Sequence, residues 1–212
     1  MSILIDSADI AEVRQAVGLG WVEGVTTNPT LVARTGKQGF RVVAAILEAS
    51  RGPVFYQLTA DSPEDREEEA RRFHALAPDR IVLKIPATTG NLSLLARLSP
   101  EMPCALTAVY AAHQALAGCE AGARYLIPYV NRATRLLGDG MKLIRELAAV
   151  VERADTGSEV LAASIKVPEE ATDAALAGAD HLTLPLDVIL KMGDHDLSDR
   201  AIEEFGAGKT TG

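Results

Sequence analysis

In the stretch IVLKIPATTG, residues 81–90, a lysine interrupts a run that a buried parallel strand prefers. Ile81, Val82, Leu83 and Ile85 surround Lys84, and an unpaired ammonium among such neighbours is costly to desolvate. Burial penalises the charged form, so the pKa of such an amine falls and free base becomes available near neutrality. A free amine attacks carbonyl carbons, and the resulting iminium draws electrons from the adjacent carbon–carbon bond without a metal. The plainer reading of Lys84 is a side chain whose stem packs inside while its ammonium snorkels outward or pairs with Asp6. A metal-dependent route to the same bond chemistry usually needs clustered histidines, and His74, His113, His181 and His195 show no ligand spacing. The sequence therefore points to no metal and no other cofactor.

What could position such a lysine is visible in the alternation of the chain. Short β-rich runs recur as SILID, GVTTN, VFYQLT, IVLKIP, CALTAV, YLIPYV, VLAASIK and HLTLPL, each bounded by turn or capping residues. Between them lie segments with helical spacing, such as Ile10, Val13 and Val17, then Leu143, Leu147, Val150 and Val151. Repeated βα units imply parallel strands with right-handed crossovers, and eight of them in a chain of 212 residues favour a closed (β/α)8 TIM barrel over an open sheet. The G-x-G-x-x-G fingerprint is absent after the first strand, which lowers the open-sheet alternative further. The expected organisation is one α/β domain over 1–212, with a C-terminal helix over about 197–206 and a frayed tail at 207–212.

Side chains of a barrel strand alternate between the interior and the surrounding helices. If Ile81, Leu83 and Ile85 face helices, Lys84 faces inward near the C-terminal end of its strand, where barrel enzymes build their sites. The same parity places Asp6 at the end of strand 1, Asn28 just past strand 2, Gln57 on strand 3, Thr107 on strand 5, Tyr129 on strand 6 and Ser164 on strand 7. Together they predict a polar mouth over an apolar floor, the layout of a small-molecule site.

LIDSADIAEVR, GVTTNPTLVA, VLKIPAT, TAVY, IPYVNR, LAASIK and GADHLTLPLDV together resemble the short transaldolase family, and most closely its fructose-6-phosphate aldolase branch. The resemblance runs from about residue 3 to residue 205. It implies a (β/α)8 barrel and a metal-free Schiff-base lyase on Lys84. The implied reaction is reversible cleavage of fructose 6-phosphate to dihydroxyacetone and glyceraldehyde 3-phosphate, or addition of dihydroxyacetone-type donors to other aldehydes. The alternative is a transaldolase, which passes the dihydroxyacetone unit between sugar phosphates. By the same resemblance Asp6 stands beside the Schiff base and Asn28 contacts the ketose portion. Gln57, Thr107 and Tyr129 match the trio that holds a catalytic water, while Arg132, Ser164 and Lys166 match the phosphate pocket. Transaldolases of this family typically carry glutamate at the place of Gln57 and phenylalanine at that of Tyr129. Many relatives carry arginine at the place of Lys166. The resemblance further suggests a homo-oligomer, as pentamer rings or a decamer, with the helix near Leu197 to Phe205 reaching a neighbour.

Two competing readings of these residues are bland. Asp6 could cap the helix that DSAD opens, although Ser7 and Asp9 cap equally well. Asn28 before Pro29 could be a turn residue.

A net charge of −8 argues against nucleic acid or an anionic membrane surface as the partner. No apolar run approaches the roughly 20 residues of a membrane-spanning helix, and MSILIDSADI lacks a basic signal-peptide start, so the expected compartment is the cytoplasm. Cys104 and Cys119 read as small buried hydrophobes. The acidic run DSPEDREEEARR reads as a solvated helix face, favoured by the helix dipole and by i,i+4 pairing. FGAGKTTG resembles a P-loop, but that motif needs glycine where Glu203 stands, and it lacks the flanking strand and helix.

Overall fold

Eight parallel strands pair in sequence order around a closed ring in the computed structural model, which describes residues 1–208. In chain order the elements are β1 (Ser2–Asp6), α1 (Ile10–Gly18), β2 (Val22–Thr26), α2 (Pro29–Arg34), α3 (Gly39–Ala49), β3 (Val54–Gln57) and α4 (Pro63–His74). There follow β4 (Ile81–Pro86), α5 (Thr89–Leu98), β5 (Cys104–Val109), α6 (Ala112–Glu120), β6 (Tyr125–Pro128), α7 (Val130–Leu137) and α8 (Gly140–Ala154). β7 (Glu159–Ala162), α9 (Pro168–Leu176), β8 (His181–Leu184), α10 (Leu186–Lys191) and α11 (Asp196–Gly208) complete the chain. β8 returns to pair with β1, so the expected (β/α)8 TIM barrel is the observed fold. α11 begins at Asp196 and continues to Gly208, past the expected end at 206. The remainder of the expected tail and of FGAGKTTG, 209–212, lies outside the described residues.

Strand parity divides the core in two. Ile81, Leu83 and Ile85 pack outward with the helices, alongside Ile5, Val25, Val54, Leu106 and Leu126. Leu4, Phe55, Val82, Ala105, Tyr125, Ile127 and Leu161 fill the barrel interior, where Phe55 meets Tyr125 edge to face at 5.1 Å. Both sets are apolar because a barrel this narrow is filled by its own side chains. Cys104 and Cys119 are buried free thiols in the outer layer, and burial pushes the Cys104 thiol up to about 12.

Asn28 lies just past strand 2, as the parity reading has it, whereas Tyr129 and Ser164 fall beyond the ends of their strands. β2 ends at Thr26, because Asn28 turns away to cap α2 and Pro29 has no N–H for a ladder. Tyr129 lies one residue past β6 and forms a single parallel bridge to Ala163. Ser164 falls past the end of β7, where a left-handed φ of 62° ends the extended backbone. The acidic helix α4 is only partly a solvated face. Arg71 pairs with Glu67 and Glu101 at the surface, but Glu69 turns in to accept from the Tyr56 hydroxyl at 2.8 Å and from the backbone of Thr59 and Ala60. Among the described residues no helix is long and apolar enough to cross a membrane.

Candidate active site

Lys84 is inward and 4% exposed, the one charged side chain among the buried described residues. Register sets it beside Gln57 on β3 and Ala105 on β5. Its Nζ donates to the Thr27 carbonyl at 2.7 Å, and Thr27 is itself fixed through bonds from its N–H and its hydroxyl to Phe55 O. Burial holds the Lys84 pKa below that of an ordinary lysine, with the Asp6 charge opposing in part. Burial likewise raises Asp6, against the opposing pull of Lys84, the Thr26 hydroxyl and Lys166. In each group burial penalises the charged form while the other's opposite charge favours it, a pattern that clusters at functional sites.

Asp6 is not a helix cap. Asp9 caps α1 by accepting from Ala11 N at 2.7 Å, while the Ser7 hydroxyl accepts from Asp9 N at 3.1 Å. This leaves Asp6 to receive the Thr26 hydroxyl at 2.8 Å, and Thr26 in turn lies 2.6 Å from the Thr183 hydroxyl. With Asp6 ionised, the proton of Thr26 points to the carboxylate and Thr183 donates to Thr26. Neither threonine was singled out from sequence. Both occupy inward positions near strand ends, so the parity test applied to threonine would have found them.

A cavity of about 490 Å³ opens above this pair, and its walls include Asp6, Asn28, Gln57, Lys84, Tyr129, Arg132, Ser164 and Lys166. Of the nine residues singled out, Thr107 alone is absent from the wall. It is fully buried and reaches the site through its hydroxyl, 3.1 Å from the Tyr129 hydroxyl. Burial raises the Tyr129 pKa, opposed by the bond to Thr107 and the charge of Arg132, so the phenol stays protonated near neutrality. Asn28 caps a helix and also lines the cavity. Its Oδ1 accepts from Leu31 N at 3.0 Å as the cap of α2, and the same residue borders the cavity.

The cationic side is organised by α7 and the loop before α9. The Arg132 guanidinium lies 5.0 Å over the Tyr129 ring, which orients it without neutralising it. Glu170 accepts from Lys166 N and from Asn131 Nδ2, tying that loop to the first turn of α7. Ile127 and Ala163 supply apolar floor, and Thr26, Thr183, Leu31 and Arg34 complete walls that the sequence reading had not named.

Fold and site together define a class: a (β/α)8 barrel with a buried amine, a neighbouring carboxyl and cationic side chains around a cavity at the C-terminal ends of its strands. Residues 3–210 match the family described as Transaldolase/Fructose-6-phosphate aldolase, and the chain belongs to that family. A probable transaldolase of Symbiobacterium thermophilum is 37% identical over 206 residues, 97% of this chain and 95% of that protein. A probable transaldolase of Aquifex aeolicus is 35% identical over 206 residues, 97% of this chain and 94% of its own. Among solved structures, mandelate oxidase with (S)-2-phenylpropionate superposes with a TM-score of 0.63 at 17% identity, covering 96% of this chain and 70% of that one, a likeness of fold alone.

Proposed function

We propose that this protein is a Schiff-base aldolase acting on sugar phosphates, cleaving fructose 6-phosphate to dihydroxyacetone and glyceraldehyde 3-phosphate or running the addition in reverse. The observation that carries this reading is Lys84, a buried amine of lowered pKa opening into a cavity with cations on its rim. Its Nζ adds to the ketose C2 carbonyl, and loss of water gives the iminium. The C3–C4 bond then breaks with its electron pair flowing into the iminium, while Asp6 takes the proton of the C4 hydroxyl and the aldehyde departs. The enamine left on Lys84 takes a proton at carbon from a water held by Gln57, Thr107 and Tyr129, and that water recovers a proton from the Asp6 carboxylic acid, which returns Asp6 to the carboxylate. Hydrolysis with a second water restores the amine and frees dihydroxyacetone. Asn28 binds the ketose hydroxyls, and Arg132, Ser164 and Lys166 hold the terminal phosphate.

Incubation with dihydroxyacetone or fructose 6-phosphate and borohydride is expected to leave a stable adduct on Lys84, with activity unchanged by EDTA. An adduct on Lys142, Lys166 or another lysine removes the assignment. Lys84→Met replaces a buried cation by an apolar chain of similar length, so it should fold and show no turnover.

A second reading, transfer of the dihydroxyacetone unit to another aldose phosphate, draws support from the relatives described as probable transaldolases. The Gln57 and Tyr129 pair supports release instead. An amide accepts no proton from water, whereas a phenol exchanges one through it. Free dihydroxyacetone should therefore form from fructose 6-phosphate alone. The double variant Gln57→Glu with Tyr129→Phe should shift product toward transfer to erythrose 4-phosphate, read as the ratio of the two products. A wild type that releases none without an acceptor, yet transfers rapidly with one, is a transaldolase.

A further inference from the structure

Arg34, at the C-terminal end of α2, borders two cavities. One is the substrate cavity. The other, about 350 Å³, lies between the start of α1 and the start of α3, and Lys37 and Arg41 join Arg34 in its wall. No carboxylate among the described residues makes an ion pair with any of these three cations, in a protein whose net charge is −8. The one carboxylate in that wall is Asp9, whose Oδ1 is already engaged by Ala11 N and Glu12 N as the cap of α1. Val42, Ala45, Ile10 and Ala8 supply the apolar remainder. The Thr35 hydroxyl fixes the loop that carries Lys37 and joins the helices of Arg34 and Arg41, donating to Val32 O at 2.7 Å and accepting from Lys37 N at 3.2 Å.

All three cations are exposed to solvent, and Asp9 is the one negative charge in the wall against their three positive ones, so the concavity keeps an excess of positive charge, and a guanidinium fork beside an ammonium suits a phosphate dianion. We propose that the Arg34–Lys37–Arg41 cavity is a second phosphate-binding subsite adjoining the substrate cavity, separate from the rim formed by Arg132, Ser164 and Lys166. This rests on the reading of the neighbouring cavity as a sugar-phosphate site. The phosphate arrives either on the opposite end of a bisphosphorylated sugar whose first phosphate occupies that rim, or on a separate small molecule. Arg34 faces both cavities and is the contact through which an occupant of one affects the other.

Isothermal titration of the full chain with inorganic phosphate, fructose 6-phosphate and fructose 1,6-bisphosphate tests the subsite. Wild type is expected to bind two phosphates per chain. The Lys37→Gln/Arg41→Gln double variant should bind one and keep fructose 6-phosphate cleavage unchanged, and Arg132→Gln should bind one and lose affinity for fructose 6-phosphate. A bisphosphate bound about tenfold more tightly than the monophosphate by wild type, with the advantage lost in the double variant, identifies the substrate's own second phosphate as the ligand. Equal affinity for the two sugars with two phosphate sites retained identifies a separate small molecule. One phosphate per chain in wild type, or two in the double variant, overturns the subsite. Borohydride trapping on Lys84 in the same preparations reports separately on the aldolase reading: a chain that binds two phosphates but never traps a ketose keeps the subsite and loses the reaction.

Discussion

A single carbonyl oxygen decides how Lys84 waits for substrate. The bond to Thr27 O holds Nζ in place, and a neutral amine still has N–H groups to donate to it, though more weakly than an ammonium, so the lysine keeps this partner in either protonation state. Two influences set its titration, its own burial and the charge of Asp6. Burial lowers the Lys84 pKa and the Asp6 carboxylate raises it again, so removing that charge leaves only the lowering influence. The sign of the effect follows. Free amine accumulates as pH rises through the Lys84 pKa, and in Asp6→Asn that pKa moves further down, so the acid limb of borohydride-trapped adduct formation should shift to lower pH. Trapping is the proper readout because turnover in Asp6→Asn also falls from loss of the C4 proton acceptor, by about 100-fold or more if Asp6 is the general base. An unshifted limb means that Asp6 is already protonated when the amine attacks.

Strand ends place these side chains, and their irregularities were the part of the site least visible beforehand. Inward parity was legible for Lys84, Asp6 and Gln57 because the alternation of apolar residues on β1, β3 and β4 runs unbroken. Thr26 and Thr183 passed unnoticed because threonine is an ordinary strand residue, and only the paired hydroxyls at 2.6 Å give it meaning. Arg34 was missed because it comes from a six-residue helix behind a strand end, where strand parity has no reach. β5 contains a bulge the pattern CALTAV conceals. Thr107 pairs with Ile127, but Val109 pairs with Pro128, so Ala108 is the extra residue and sits at a φ of 59°. The bulge resets the alternation: Val109 packs outward with the helices while Thr107 keeps its hydroxyl toward Tyr129. Left-handed backbone costs an alanine about 1–2 kcal/mol, partly offset by the greater freedom glycine has when unfolded. Ala108→Gly should therefore stabilise the protein by up to about 1 kcal/mol in urea unfolding. Ala108→Val should destabilise it by more than about 1 kcal/mol and slow the proton-transfer steps by displacing Thr107. Glycine and valine with the same stability would remove strain as the reason for the bulge.

At the scale of the whole molecule, α11 carries more exposed large apolar side chains than any other element among the described residues. α11 follows the last barrel unit and exposes Leu197, Ile202 and Phe205 at 64%, 67% and 73%, on one broad side of the helix with Ala201 between them. Three large hydrophobes left in water on a single helix are costly, and burying each is worth about 1.5–3 kcal/mol, so a second surface to cover them is favoured. We propose that the surface belongs to another copy of this chain, as the family resemblance suggests, in a pentameric ring or a decamer. Light scattering behind size exclusion should give wild type the mass of an oligomer. Ile202→Lys with Phe205→Lys should reduce it to that of a smaller assembly or a single chain, while borohydride still labels Lys84. A wild type that elutes as one chain shows that α11 has no partner of its own kind, and unchanged mass in the double variant places the contact elsewhere on the barrel.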